Sequence, residues 1–183
     1  MDTVRYFKSV AKRQLTLRRA AGDDRSTLQQ VQHQVAVDAG YVSWDELRTA
    51  SDADRRLAVA MTQEPSLTWE GFGAGYFTAT PQERRAAFVD ARSELRGNAD
   101  RVEQIRAWLE ANITPRKTID PAAGSYGLKG LAERDLGWYL SNGEFIAAAI
   151  IAGYPYRAES ESPNARFGMS ARSVSVVRAR NHF

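Results

Sequence analysis

Residues 144–152 read Glu-Phe-Ile-Ala-Ala-Ala-Ile-Ile-Ala and contain the longest apolar stretch of the chain, 145–152. A helix of this composition is apolar on nearly every side, which is typical of a buried segment and not of a surface helix. Ser141-Asn142-Gly143 breaks the preceding helix, and Gly153 and Pro155 end the apolar helix. We therefore expect a short helix over 144–152 at the centre of the C-terminal part of the protein.

Helical periodicity and helix-start signals along most of the chain predict a mainly α fold. The first helix ends near Gly22 and carries apolar residues at helical spacing, namely Val4, Phe7, Ala11 and Leu15. Capping boxes, in which Ser or Thr is followed three residues later by Gln or Glu, predict helix starts at Ser26, Ser43 and Thr80. Later helices are expected to begin at Asn98, Ser125 and Ser170, the second running to Leu140. For the last, a strand is the alternative, because residues 173–176 alternate between polar and apolar.

Loops rich in glycine or proline separate these helices, over 63–80 and over 114–124. The end of the first loop, 75–79, allows a short strand, and residues 157–168 are expected to be loop. A boundary is expected near 50–65. This predicts a small N-terminal helical module, residues 1–50, packed beside or linked to a larger helical domain with glycine-rich loops, residues 51–183.

The residue types that are missing exclude several classes of chemistry. The chain has no cysteine, which excludes disulfides, thiolate zinc sites, iron–sulfur clusters and a cysteine nucleophile. His33 and His182 are its only histidines, and the glycines at 71–75 are not followed by the Lys-Ser/Thr of a phosphate loop. We therefore expect no metal and no cofactor. No signal peptide is recognisable and the apolar stretch is too short for a bilayer, so we expect a cytoplasmic protein without a membrane partner.

The charge distribution predicts a binding surface. The formal net charge is only +3, yet residues 1–25 hold seven Lys and Arg against three Asp, and residues 164–183 hold four Arg and no acid. Basic ends around an acidic middle favour a nucleic acid or a protein partner with an acidic surface, the alternative being solvated helix faces. The candidate binding residues are Arg5, Lys8, Lys12, Arg19, Arg172, Arg178 and Arg180.

A second candidate site is polar and suits a small substrate. Tyr126, Lys129 and Glu133 fall at successive helical steps and share a face, and Asn142 could line the same pocket. An enzyme using these four groups is one alternative function. The structural alternative is an exposed ion pair between Lys129 and Glu133, which are four residues apart.

Two further interpretations concern helix packing. Residues 31–48 have a spacing close to that of a helix-turn-helix, although Leu47 comes one place late and Asp45 and Glu46 would repel phosphates. A small packed helical hairpin around Trp44 explains the same pattern. The apolar residues 145–151 allow an oligomeric structural protein in which this helix is the interface between copies.

Two families resemble parts of the chain. The stretches 7–13, 31–36 and 39–47 resemble the short helical module called glyoxalase-related, a label that records neighbouring domains and carries no catalytic residues over to this sequence. The rest of the chain resembles uncharacterised proteins of bacterial conjugative plasmids and integrative elements. That resemblance lies in 64–68 with 71–73, in 125–129 with Glu133, in 141–149 and in 163–167.

The resemblance implies a mobile-element setting and no particular activity. With the basic ends, it leads us to expect a non-enzymatic accessory or regulatory protein that binds nucleic acid or a nucleic-acid-handling protein, a class that includes inhibitors of host defence.

Overall fold

The computed structural model describes residues 2–73 and 80–180, and this part of the chain is mainly helical, as expected. Its elements in chain order are α1 (Thr3–Ala20), α2 (Leu28–Asp38), α3 (Trp44–Thr49), α4 (Asp52–Gln63), β1 (Leu67–Thr68), β2 (Gly71–Phe72), α5 (Pro81–Arg96), α6 (Ala99–Asn112), α7 (Ser125–Leu136), α8 (Asn142–Ile151), β3 (Tyr156–Ala158), β4 (Ala165–Phe167) and α9 (Ala171–Arg180).

The chain divides into two compact units, Met1–Gln63 and Glu64–Phe183. This division lies within the range 50–65 in which a boundary was expected, but α4 belongs to the first unit, whereas the division at residue 50 assigned it to the second. Its apolar residues Leu57 to Met61 are buried, and the helix packs against α1. Because Ala58 and Val59 belong to the hydrophobic cluster of the first unit, the compact unit includes α4.

The core of the first unit joins all four of its helices. Phe7 of α1, Val31 and Val35 of α2 and Leu47 of α3 are buried in one cluster with residues of α4. The second helix begins one residue later than its predicted box. Its cap is Thr27, whose hydroxyl accepts a hydrogen bond from the amide of Gln30 at 3.3 Å while the Gln30 side chain accepts from the amide of Thr27 at 2.9 Å.

The second unit is built around α8, as the apolar stretch predicts. Phe145 to Ala149 are completely buried, and α8 packs against α6 and α7. The helix begins earlier than expected, because Ser141 is its N-cap and forms a capping box with Glu144. The segment 141–143 therefore starts the helix and does not interrupt it.

Backbone conformation decided the end of α7, and burial agrees with a helix in the last segment. Helix α7 ends at Leu136 and not at Leu140, because Gly137 adopts a left-handed conformation with φ of +77°. In the last segment the helical interpretation is confirmed, since α9 buries Val174 and Val177 at a spacing of three residues.

Short strand pairs occur where only loop was expected. Strands β1 and β2 form an antiparallel hairpin in which Leu67 pairs with Phe72, and β3 pairs with β4, also antiparallel. The Phe72 ring stacks on the ring of Tyr156, which links the hairpin to β3. The strand expected at 75–79 lies outside the described residues.

Candidate functional site

Helix α1 carries a line of exposed basic side chains. Its buried face consists of Thr3, Phe7, Ala11 and Leu15, each about one turn from the next. At 3.6 residues per turn, the basic residues fall within roughly 60° of one another and extend over about 21 Å beside that buried face. They are Arg5, Lys8, Lys12 and Arg19, all of them exposed, and we call these four side chains the basic stripe.

The charges of the basic stripe are not neutralised within its own helix. No Asp or Glu occurs between Thr3 and Ala20, and Asp2 caps the helix by accepting from the amide of Arg5 at 2.9 Å. Within residues 2–73 and 80–180, the four basic side chains form no ion pair with a carboxylate. The stripe therefore presents an uncompensated positive potential to solvent.

A polar depression lies at the turn that joins α1 to α2. It has a volume of about 610 Å³, and its lining includes Arg18, Arg25 and His33. Arg18 donates to the hydroxyl of Ser26 at 3.3 Å, and Ser26 donates to Asp23 at 2.5 Å. Hydrogen bonds from Ser26 hold the pKa of Asp23 below its usual range, so this carboxylate is charged and belongs to the turn itself.

The C-terminal arginines of the sequence-based set differ from one another. All three lie on the exposed surface of α9. Arg180 forms an ion pair with Asp135 and also donates to the side-chain oxygen of Asn112. Arg172 and Arg178 form no ion pair with any other described residue. Two of these three charges are thus uncompensated, whereas that of Arg180 is used within the second unit.

The structure brings together three of the four residues of the predicted polar site. The Lys129 ammonium lies 2.7 Å from Glu133 Oε1 and 5.6 Å from the centroid of the Tyr126 ring. Asn142 has other partners, because its amide nitrogen lies 3.0 Å from the carbonyl oxygen of Pro163 and 3.2 Å from Asn164 Oδ1.

Lys129 and Glu133 hold the loop between α7 and α8. The Lys129 ammonium donates to the carbonyl oxygen of Leu140 at 2.9 Å, and Glu133 Oε1 accepts from the amide of Leu140 at 3.0 Å. Both backbone polar groups of Leu140 are thereby satisfied. The spacing of the ion pair was predicted correctly, but its expected exposure was wrong, because the Lys129 side chain is buried. Its contacts with Leu140 were not predicted either, because Leu140 is not on the same helix.

Sequence reasoning missed the residues on the other side of this loop. Arg101 of α6 donates to both carboxylate oxygens of Glu144, at 2.5 and 3.3 Å, and Glu144 is fully buried. The guanidinium carbon of Arg101 lies 4.1 Å from the ring centroid of Trp138. The Tyr139 ring lies 4.6 Å from the Lys129 ammonium. The adjacent aromatic residues Trp138 and Tyr139, which follow the helix-ending Gly137, are the sequence signal that could have pointed to this loop.

Asn142 lies at a junction of distant segments. Its amide nitrogen also lies 3.2 Å from the carbonyl oxygen of Glu70. A Cβ at Gly143 would lie 1.8 Å from the carbonyl oxygen of Thr68, and one at Gly71 would lie 2.0 Å from that of Pro163. Residues 68–71, 142–143 and 163–164 therefore meet here, and close backbone approach explains the two glycines.

The described part of the chain offers no group of three or more His, Asp or Glu side chains that could hold a metal ion. Within the same residues, no helix is both long enough and apolar enough to cross a membrane. No protein-family model, no curated protein and no solved structure matches the chain.

Proposed function

We propose that this protein is a non-enzymatic accessory or regulatory protein that binds nucleic acid through the basic stripe of α1. The observation that carries the proposal is the alignment of four exposed, unpaired basic side chains over about 21 Å of a helix without acidic residues. Such a line can follow a phosphate backbone, which attracts Lys and Arg whatever the base sequence.

The setting within a bacterial mobile element, including inhibition of host defence, is part of the proposal and rests on the resemblance of 64–167 to plasmid-borne proteins. A nucleic-acid-handling protein with an acidic surface would suit the same stripe. Nucleic acid is preferred because four Lys and Arg in line over about 21 Å match a series of regularly spaced phosphates.

The two alternative functions have less support. Lys129 and Glu133 are engaged with Leu140, which favours a structural role over acid–base work on a substrate. Of the stretch 145–151, Phe145 to Ala149 are completely buried and only Ile150 and Ile151 are partly exposed, which leaves little apolar area for an interface with a second copy.

The test is the affinity of the full chain for a fluorescent DNA duplex across a salt series, measured by anisotropy. If four phosphates are contacted, the logarithm of the affinity should fall with the logarithm of the salt concentration with a slope of about −3.6. The variant R5Q/K8Q/K12Q/R19Q should lose most of the affinity and flatten this slope.

The matched control removes the same number of positive charges elsewhere. R84Q/R85Q/K117Q/R157Q changes four exposed basic residues of the second unit, none of which forms an ion pair with another described residue. It should keep the slope of the parent. Equal losses in the two variants, or no binding by the parent at low salt, would refute the basic stripe as a nucleic-acid surface.

A further inference from the structure

The second unit presents aromatic side chains to solvent beside the α7–α8 loop. Tyr126 is 72% exposed and Tyr139 is 66% exposed, and Trp138, which precedes Tyr139 in the chain, is half-buried. Large aromatic side chains usually bury most of their area, and they are enriched at binding surfaces. We call Tyr126, Trp138 and Tyr139 the aromatic surface.

The aromatic surface is held in place by the charged groups beneath it. The Lys129 ammonium lies 5.6 Å from the centroid of the Tyr126 ring and 4.6 Å from that of Tyr139, distances typical of cation–π contacts. Arg101 covers Trp138 and donates to the carbonyl oxygen of Tyr139 at 2.6 Å. These contacts restrict the rings before a ligand arrives, which lowers the conformational entropy lost on binding.

A depression of about 590 Å³ lies between α7 and the two aromatic residues that follow it, and Gly130 is part of its lining. A Cβ at Gly130 would meet nothing within 4 Å, so packing inside the protein does not require glycine there. A glycine within a helix lowers stability relative to most other residues. Without a side chain at Gly130, the depression stays open.

The charges around the depression favour an anionic ligand. Glu133 is the acidic residue of its lining, and its carboxylate is paired with the Lys129 ammonium at 2.7 Å. Arg134 also lines the depression, is exposed, and forms no ion pair with another described residue. The uncompensated charge at this place is therefore positive.

We propose that the aromatic surface binds single-stranded nucleic acid, with bases stacked on Tyr126 and Tyr139 and a phosphate on Arg134. Unpaired bases offer free π-faces beside a phosphate backbone, whereas the bases of a duplex are stacked on one another. This assignment goes beyond the proposed function, because it lies in the other unit and uses stacking. The basic stripe contains no aromatic side chain.

The experiment compares the full chain and its variants on a fluorescent single strand of about 20 nucleotides and on a hairpin duplex. Y126A/Y139A should lower the affinity for the single strand by at least about tenfold and leave the affinity for the duplex unchanged. Y126F/Y139F keeps both rings and should bind as the parent does. V89A/V176A, which shortens two exposed apolar side chains elsewhere in the second unit, is the matched control.

A second variant separates binding from folding. Gly130→Gln places a good helix former in the depression, so it should raise the melting temperature while lowering the affinity for the single strand. The proposal is overturned if Y126A/Y139A binds the single strand like the parent, if the parent does not bind it, or if Gly130→Gln leaves its affinity unchanged. Loss of duplex binding in the basic-stripe variant alone tests the proposed function and leaves this inference intact.

Discussion

The basic stripe of α1 and the charged groups around the α7–α8 loop use similar residues in opposite ways. In the stripe, Arg5, Lys8, Lys12 and Arg19 are exposed and unpaired with any described carboxylate. Around the loop, Arg101 and Lys129 are paired with Glu144 and Glu133 and also donate to backbone carbonyl groups.

This difference separates charges that stabilise the fold from charges that are available to a ligand. A buried carboxylate needs its partner, so removing either one lowers the free energy of unfolding strongly. An exposed unpaired ammonium or guanidinium contributes little to folding and keeps its full attraction for an anion. The amino-acid composition counts paired and unpaired charges equally, and only the structural surroundings of each charge distinguish them.

The largest expected effect is at Glu144. Glu144→Ala leaves Arg101 without its carboxylate and removes the acceptor for the amide of Ser141, which lies 2.8 Å from Glu144 Oε2. Arg101 is 35% exposed, so water solvates part of the charge left behind, and the free energy of unfolding, measured by urea denaturation, should fall by about 2–3 kcal/mol.

Glu110→Ala is the control for Glu144, since Glu110 also pairs with an arginine, Arg106, but is about half exposed on α6. Its expected effect is about 1 kcal/mol or less. Equal effects of the two substitutions would contradict the distinction between buried and exposed pairs.

An intermediate effect on the free energy of unfolding is expected from the ionisation of Tyr154 at alkaline pH. Burial and the charge of Glu110 raise the pKa of Tyr154 to about 12. Its hydroxyl donates to the carbonyl oxygens of Ile113 and Leu109, at 2.5 and 3.0 Å. The fold favours the neutral phenol, so this stability is complete below the unfolded pKa of about 10 and is lost as the pH rises through 12.

Tyr154→Phe should remove this part of the pH dependence. Between about pH 9 and about pH 12, the parent should lose on the order of 2 kcal/mol more than the variant in free energy of unfolding. Identical slopes against pH for the two proteins would show that the phenol does not ionise over this range in the way its burial implies.

The smallest effect on stability is expected in the basic stripe. R5Q/K8Q/K12Q/R19Q should change the free energy of unfolding by about 0.5 kcal/mol per residue or less, because all four side chains are exposed and unpaired. Glutamine keeps the helix propensity of Lys and Arg. A larger loss, seen in the same urea experiment, would mean that these charges serve the fold, and the contrast with Glu144 would disappear.

Features that depend on local sequence were predictable. The basic stripe follows from the spacing of residues along one helix, and the capping box at Thr80 was found where its hydroxyl accepts from the amide of Glu83 at 3.2 Å. The burial of 145–149 followed from composition alone. The Lys129–Glu133 pair followed from the four-residue spacing.

The start of α8 shows why other features were not predictable. Gly143 within Ser141-Asn142-Gly143 indicated a break, yet the segment begins the helix. The glycine is needed because the carbonyl oxygen of Thr68 would lie 1.8 Å from a Cβ at this position. That oxygen belongs to a hairpin far away in the chain, so no local pattern could reveal the contact.

The sequence by itself determined most of the helices, the burial of α8 and the alignment of the basic stripe. Each of these depends on residues within a few turns of one another. Only the tertiary structure decided that α4 belongs to the first unit, that the Asn142 amide bonds to residues other than Lys129, and that Tyr126 and Tyr139 both contact one ammonium group. The physical reason is that partners distant in the chain determine burial and ion pairing, and these decide which charges and rings remain available to a ligand.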